Sequence, residues 1–359
     1  MLIQSSVDFN LDVSILDPDP NAPCKSLANH FEVGTLTDYE TVYQFGQKCD
    51  LITIEIENVN TKALLALQKE GKKVFPQPEV IELIQDKRKQ KRFYQENGIP
   101  TAEFVLIDSA EELRDHGTFL PAFQKLGRAG YDGRGVQRLE SISDFDQAFD
   151  APGLLEKVVD FEKEISVIAA RNADQEVKVF PVVELVFHPK HHLVEYLFAP
   201  ATLEDHQSQR ATELARQLIE KLDMIGLLAV EMFVTKEGEV LVNEMAPRTH
   251  NSGHQTIEAN TTSQFEQHLR AILNLPLGNT EAITPSVMIN LLGAPDHTGF
   301  ACYQGLNDVL NIEGVHLHLY GKQLTKPFRK MGHVTITGNE VADLKEKAQF
   351  VKQNLKVIT

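Results

Sequence analysis

The order of apolar runs changes at Pro78, and that change limits the fold more than any other feature of the chain. Before it, strand-like and helix-like runs alternate. "LDVSILDPDP" carries a short strand, Val13 to Leu16, into a turn cluster; a helix is expected around Asp38 to Gln47; "CDLITIEIEN" is the next apolar run; "TKALLALQKEG" has helical spacing and "KKVFPQ" returns to strand. Strands joined through helices run parallel, so this part reads as a doubly wound sheet. The opening "MLIQSSVDFN" resembles the last turns of a helix, so the sheet is entered inside what should be its first helix. The junction "PEVIELIQDKRKQKRFYQEN" reads as one charged helix, Pro78 to Asn97, stopped by Gly98 and Pro100.

Beyond the junction, β-type runs follow one another. "AEFVLI", "PAFQKL", "GVQRL", "GLLEKVV", "FEKEISVIAA" and "VKVFPVVELVF" suggest a mixed, mostly antiparallel unit. Within "RATELARQLIEKLDM", Ala211, Leu214, Ala215, Leu218, Ile219 and Leu222 share one helical face. After Leu275, "PSVMINLLG", "VHLHLYGK" and "RKMGHVTITG" read as a small β-rich unit. The expectation is three units, residues 1–77, 78–275 and 276–359.

A net charge of −16 supplies no broad cationic surface, which argues against nucleic acid or an anionic membrane as partner. Cys24, Cys49 and Cys302 lack CxxC spacing, so neither a disulfide framework nor a zinc site is indicated, and a reducing cytoplasm fits. No apolar run approaches the roughly 20 residues of a membrane span, and the N-terminus lacks the regions of a signal peptide.

Chemistry is densest in "GLLAVEMFVTKEGEVLVNEMAPR", two β-type runs around a Lys-Glu-Gly turn. An even loop would put Glu231 and Glu244 on one face of the hairpin; an odd loop would separate them. Two carboxylates on one face, with Asn243 beside them, suit magnesium, which takes one or two carboxylates and leaves its other positions to water and phosphate. Solvated strand glutamates are the plainer reading. The following "APRTHNSGHQT" concentrates Arg248, His250, Asn251, Ser252 and His254. An arginine fork with amides and hydroxyls beside a metal site is an arrangement for phosphoryl transfer. A metal-binding or purely structural turn is the alternative, although Asn251, Ser252 and Gly253 argue against the helix that a zinc-binding His250/His254 pair would need.

"GRAGYDGRGV", Gly127 to Val136, lies between two strand-like runs and reads as a turn whose glycines let backbone N–H groups approach an anion. It has neither the P-loop nor the dinucleotide spacing. Lys125, two residues upstream, offers a fixed cation for phosphate.

Lys125, "RAGYDGRG", "LLEKVVDFEKEISVIAAR" and "VEMFV…LVNEMAPRTHNSGH" together resemble the ATP-grasp enzymes, and within them the N5-carboxyaminoimidazole ribonucleotide synthetases of purine biosynthesis. "ITIEIENV" near the start and "YGKQLTKPFRKMGHVT" near the end extend the resemblance over essentially the whole chain. It implies a truncated doubly wound N-terminal domain, a central ATP-grasp unit and a small β-rich C-terminal domain. It also implies an ATP-dependent carbon–nitrogen ligase that carboxylates the exocyclic amine of 5-aminoimidazole ribonucleotide with bicarbonate, through carboxyphosphate, using magnesium or manganese.

By the same resemblance, Lys125 and Lys87, the latter where the family usually has arginine, hold ATP phosphates, and the loop Gly130, Tyr131, Asp132, Gly133, Arg134, Gly135, Val136 closes over them. Glu156, Lys157, Val158 and Val159 form the adenine linker, Glu164 accepts from the ribose hydroxyls, and Glu231 and Glu244 hold the metal with Asn243 beside them. Arg248 anchors bicarbonate or carboxyphosphate, helped by His250 and Asn251. Tyr131 and Asp132 lie between nucleotide and substrate, where Asp132 could orient or deprotonate the amine. Glu57, preferred over Glu55, is the substrate-side acid. Lys322, Arg329 and Lys330 grip the substrate 5′-phosphate. A homodimer is usual in such families, and the mutase that rearranges the product is the pathway neighbour.

Two departures qualify the resemblance. Family members begin with a strand and a "GGGQLGRM"-type loop, of which only a final methionine, Met1, has a counterpart here. Phe187 stands where many relatives carry a histidine near ATP. A formate-dependent glycinamide ribonucleotide transformylase and a truncated, non-catalytic nucleotide-binding protein are the competing readings.

Overall fold

The computed structural model describes residues 1–128, 135–187 and 194–359. Its N-terminal layer alternates as expected: α1 (Leu2–Asp8), β1 (Ser14–Asp17), β2 (His30–Val33), α2 (Tyr39–Gln47), β3 (Leu51–Ile52), α3 (Thr61–Lys69) and β4 (Lys73–Val74). The strands form two separate parallel pairs, β1 with β2 and β3 with β4. Asp38 and Asn60 cap α2 and α3 by accepting from Thr41 N and Ala63 N, which satisfies backbone donors that a helix start leaves open. Val42, Ala63, Leu64 and Leu67 then pack over Ile52, Ile54 and Val74. The strand in "CDLITIEIEN" stops at Ile52, so Glu55 and Glu57 fall in the loop beyond its C-terminal end, where open sheets bind ligands.

The charged junction is two helices rather than one: α4 (Pro78–Ile84) and α5 (Lys87–Glu96). Asp86 causes the break by starting α5 afresh, its carboxylate accepting from Arg88 N at 3.0 Å. Gln85 donates to Glu57 O and Val59 O, holding the break against the acidic loop.

A small antiparallel sheet follows, made of β5 (Phe104–Ile107), β6 (Ala122–Leu126), β7 (Val136–Leu139) and β8 (Gly153–Lys157) in the order β5-β8-β6-β7. Residues 158–160 join β8 to the large sheet, which holds β9 (Phe161–Arg171), β10 (Val177–Val179), β11 (Val183–Phe187), β12 (Val194–Ala199), β13 (Gly226–Thr235) and β14 (Val240–Ala246). Pro181 separates β10 from β11 within the single run read from the sequence. The amphipathic helix α6 (Asp205–Lys221) lays Ala211, Leu214, Ala215, Leu218 and Ile219 on Ile165, Val167, Leu228 and Val230 in the main core. Each fully buried leucine there stabilises the fold by about 1.5–3 kcal/mol relative to exposure.

Short helices α7 (Thr256–Ala259) and α8 (Gln264–Ile272) lead to the C-terminal part: β15 (Ser286–Leu292), β16 (Gly299–Phe300), β17 (Cys302–Gln304), α9 (Leu306–Leu310), β18 (Val315–Leu319), β19 (Leu324–Thr325), β20 (Lys330–Thr337), α10 (Val341–Asn354) and β21 (Lys356–Ile358). This part has its own core of Val287, Ile289, Val334, Ile336 and Val351, yet its sheet is not independent. β15 pairs with β12 through Tyr196 and Ile289, so the large sheet runs β14-β13-β9-β11-β12-β15-β20-β18, with β10 also on β9.

Candidate active site

The hairpin β13–β14 brings its two carboxylates together by an unexpected route. Val234 pairs with Val240, which leaves an odd loop of five residues and would set Glu231 opposite Asn243. A bulge shifts the register between Glu231 and Met232, so that Glu231 faces Glu244 directly. The expectation that an odd loop would separate the two acids therefore fails because Asn243 is the extra residue. β9 extends the same face: Ser166 pairs with Glu231, and Glu164 with Phe233.

Crowding acids on one face has electrostatic consequences. Burial, then the Glu244 charge, pushes the Glu231 carboxyl well above its ordinary range, and the same causes push Glu164 up to about 7. Glu244 goes the other way, because Lys87 donates to its Oε2 at 2.5 Å. The donor set fits a divalent cation. Two opposed carboxylates disfavour each other's ionisation until a positive charge lies between them, and Lys87 already supplies one to Glu244.

The lysines come from three elements. Lys87 opens α5, with its backbone N donating to Gly127 O. Lys125, at the end of β6, reaches Glu156 Oε1 at 2.5 Å and Asn243 Oδ1 at 3.2 Å. Glu156, on β8, is 3% exposed and is also paired with Lys91. The side chain of Glu156 is thus committed to lysines, while Lys157 ends β8, its Nζ 4.7 Å from the Phe119 ring centroid, and Val158 and Val159 lie in the link between the sheets. Lys91 was not foreseen; its signal is the i, i+4, i+7 spacing of Lys87, Lys91 and Tyr94 on one face of α5.

The loop after β14 is held from within. Gln264, fully buried at the start of α8, accepts from His250 N at 2.8 Å and donates to His250 O at 2.7 Å and to His254 Nδ1 at 3.1 Å. Gly253 permits this packing, since a Cβ there would come within 2.6 Å of the Gln264 amide. His250 Nδ1 meets Ser252 Oγ at 2.9 Å, and Ser252 Oγ meets Ser166 Oγ at 2.8 Å on β9. His250 Nε2 lies 3.5 Å from Glu231 Oε1, and burial followed by Arg248 and Lys330 drives its pKa down to about 3, so the ring is neutral. Asn251 begins a short 3-10 turn, Asn251–Gly253, in agreement with the absence of a longer helix there. Gln264 lies outside every motif read from the sequence.

The flanking units close on this loop. Arg248 Nε pairs with Glu57 Oε1 at 2.7 Å, across from the N-terminal layer. Burial raises the Glu55 pKa against the opposing influence of Arg248 and Lys322. Lys322 Nζ donates to Lys330 O at 2.8 Å, and the charge of Lys330 is felt at both Glu231 and His250. Arg329 donates to Leu324 O at 2.7 Å within its own turn. Phe187 packs at the edge of the cluster of Val183, Leu185, Leu197 and Met288. Gly135 has φ +71°, a left-handed turn that glycine adopts without strain, and Val136 starts β7. Gly130, Tyr131, Asp132, Gly133 and Arg134 lie outside the described residues.

Two sheets joined by a short link, with lysines on one and paired carboxylates on the other, define the ATP-grasp class, and residues 92–265 match the ATP-grasp domain. Residues 1–85 match the ribonucleotide synthetase preATP-grasp domain, and 286–347 the phosphoribosylaminoimidazole carboxylase C-terminal domain. The chain is 35% identical over 369 residues to the N5-carboxyaminoimidazole ribonucleotide synthase of Synechococcus elongatus, covering all of this chain and 92% of that one. It is 37% identical over 353 residues to the chloroplastic phosphoribosylaminoimidazole carboxylase of Vigna aconitifolia, but spans only 63% of that longer protein. Among solved structures, N5-carboxyaminoimidazole ribonucleotide synthetase from Thermotoga maritima superposes with a TM-score of 0.91 at 40% identity, covering 100% of this chain and 96% of that one. The Aspergillus clavatus synthase in complex with ADP and 5-aminoimidazole ribonucleotide gives 0.88 at 35% identity, covering 98% and 94%. The chain belongs to the N5-carboxyaminoimidazole ribonucleotide synthase family.

Proposed function

We propose that this protein uses ATP and bicarbonate to carboxylate 5-aminoimidazole ribonucleotide on its exocyclic amine, releasing ADP and phosphate. The observation that carries the reading is the directly opposed Glu231/Glu244 pair, with Lys87 on one of its acids and the Arg248–His250 loop against the other. Bicarbonate is a poor electrophile, and phosphorylation turns one of its oxygens into a leaving group. The amine nitrogen then attacks the carboxyphosphate carbon, the C–O bond to phosphate breaks, and a carbamate forms.

Glu231 and Glu244 hold magnesium, which when bound neutralises charge on the transferring phosphoryl group. Lys87 and Lys125 take the ATP phosphates, Lys87 exchanging its pairing with Glu244 for them. Residues 158 and 159 receive adenine by their backbone, and Glu164 takes the ribose hydroxyls. Arg248 exchanges Glu57 for bicarbonate or carboxyphosphate, and the neutral His250 ring offers a hydrogen bond without competing for the anion. Asp132 deprotonates or orients the amine, Tyr131 serves the junction of nucleotide and substrate, and Lys322, Arg329 and Lys330 hold the 5′-phosphate. Three unpaired cysteines accord with a cytoplasmic enzyme, which acts as a homodimer and passes a labile carbamate to a mutase.

The test is ADP release by the 359-residue chain with ATP, magnesium and bicarbonate, with and without 5-aminoimidazole ribonucleotide. Stimulation by the ribonucleotide that depends on bicarbonate is expected. Equal release without it, or a requirement for formate in place of bicarbonate, removes the reading.

A further inference from the structure

Lys91 takes no part in the chemistry above, yet it is among the most deeply buried charges in the chain. It is 3% exposed, its ammonium lies over the rings of Tyr94 and Phe104 at 5.8 and 6.0 Å from their centroids, and burial lowers its pKa. A lysine is rarely retained in such a place without a specific partner. Lys91 has two. It pairs with Glu156, whose other oxygen holds Lys125, and its Nζ donates to Thr101 Oγ1 at 2.5 Å. Thr101 in turn donates to Val242 O at 2.6 Å, directly before Asn243 and Glu244. A single side chain on α5 is therefore tied to the nucleotide-facing strands of both sheets.

The charge count explains what this arrangement does. Lys91, Glu156 and Lys125 sum to +1 in a site nearly closed to water. Without Lys91, the remaining ion pair sums to zero, and Glu156 turns both oxygens to Lys125. We propose that Lys91 is a positioning residue for nucleotide binding: by occupying one oxygen of Glu156, it leaves the Lys125 ammonium with an uncancelled charge to give to the phosphates. This rests on the assignment of the cleft to ATP. Lys91 does not touch the nucleotide; it acts through Glu156.

The test is calorimetric titration of the full chain with ADP and magnesium, and separately with adenosine. Lys91→Met keeps the aliphatic stem and leaves Glu156 paired with Lys125, so no orphaned charge is created. ADP binding is expected to weaken roughly tenfold or more, as for a lost charge-assisted hydrogen bond, with adenosine binding unchanged. Adding Glu156→Gln to Lys91→Met frees Lys125 and restores ADP affinity to within about threefold of the unmodified chain. A merely structural lysine would not be rescued by removing its partner.

Wild-type-like ADP binding by Lys91→Met, a parallel loss of adenosine binding, or no recovery in the double variant overturns the proposal. Glu156→Gln alone gives a reading if Lys91→Met does not fold: ADP affinity is held or raised, and a loss overturns the proposal. Failure of both single variants to fold assigns the cluster to stability and overturns it too. An unmodified chain that binds neither ADP nor adenosine sinks the assignment of the cleft itself, an outcome distinct from all of these.

Discussion

At the scale of single residues, the acids were legible and most of their partners were not. Glu231 and Glu244 stand out because a hairpin pattern makes side-chain faces countable, although the count missed the bulge at Asn243. Lys91 and Gln264 could not be found in the same way, since their importance lies in contacts of long sequence separation, such as Gln264 to His250 and Lys91 to Glu156. The asymmetry between the two acids yields a prediction. Lys87 holds Glu244 ionised in the absence of ligand, so Glu244→Gln removes a charge but keeps an acceptor for the lysine. ADP formation should fall by about two orders of magnitude or more, the scale of a lost preorganised electrostatic contact, while the circular dichroism spectrum stays that of the unmodified chain. Turnover within a few-fold of the original would remove Glu244 from the metal site.

Elements were read well where their own periodicity decides them and poorly where a neighbour does. The helix α6 follows from its apolar face, and α2 and α3 from their spacing. Pro78 to Asn97 has helical composition throughout, and only the capping geometry of Asp86 turns it into α4 and α5, with Lys87 at the start of α5 reaching Glu244. The C-terminal strands read as a separate unit because nothing local announces that β15 will pair with β12. The loop after β14 depends on an element as well: α8 presents Gln264, whose amide satisfies both backbone groups of His250 and the ring of His254. Gln264→Ala takes the partner from His250 N and His254 Nδ1, while His250 O keeps only Gly253 N, at 3.0 Å. A destabilisation of about 2–4 kcal/mol is expected, from the cost of unsatisfied buried polar groups, together with reduced turnover and unchanged ADP affinity. Denaturant unfolding and nucleotide titration read these separately, and a fully stable, fully active variant would show that the loop supports itself.

For the whole molecule, the central and C-terminal units share one sheet through β12 and β15, and polar side-chain contacts tie the units further: Glu57 with Arg248, Glu258 with His318 at 2.6 Å, and Thr53 with His268 at 2.8 Å. The last joins the N-terminal layer to α8 and has a definite dependence on pH. His268 is 1% exposed; Thr53 Oγ1 meets its Nε2, its Nδ1 has no hydrogen-bond partner among the described residues, and a Cβ at Gly226 would lie 3.6 Å from the ring. Burial alone brings its pKa down to about 4. In the unfolded chain the ring titrates near its ordinary value of about 6.5. Between these values the unfolded state binds the extra proton, so the contribution is fully present above about pH 6.5 and is lost as pH falls toward 4. Each pH unit inside that window costs about 1.4 kcal/mol. The overall curve mixes signs, because Glu164, raised to about 7, binds its proton in the folded state and stabilises it as pH falls over part of the same range. The informative quantity is therefore a difference. His268→Gln keeps a hydrogen-bonding group for Thr53 without a titrating ring, and its stability relative to the unmodified chain should improve by roughly 2 kcal/mol between pH 7 and pH 5. Parallel stability curves for the two proteins over that interval would mean that the ring is already neutral to pH in solution, through water or local opening between the N-terminal layer and α8.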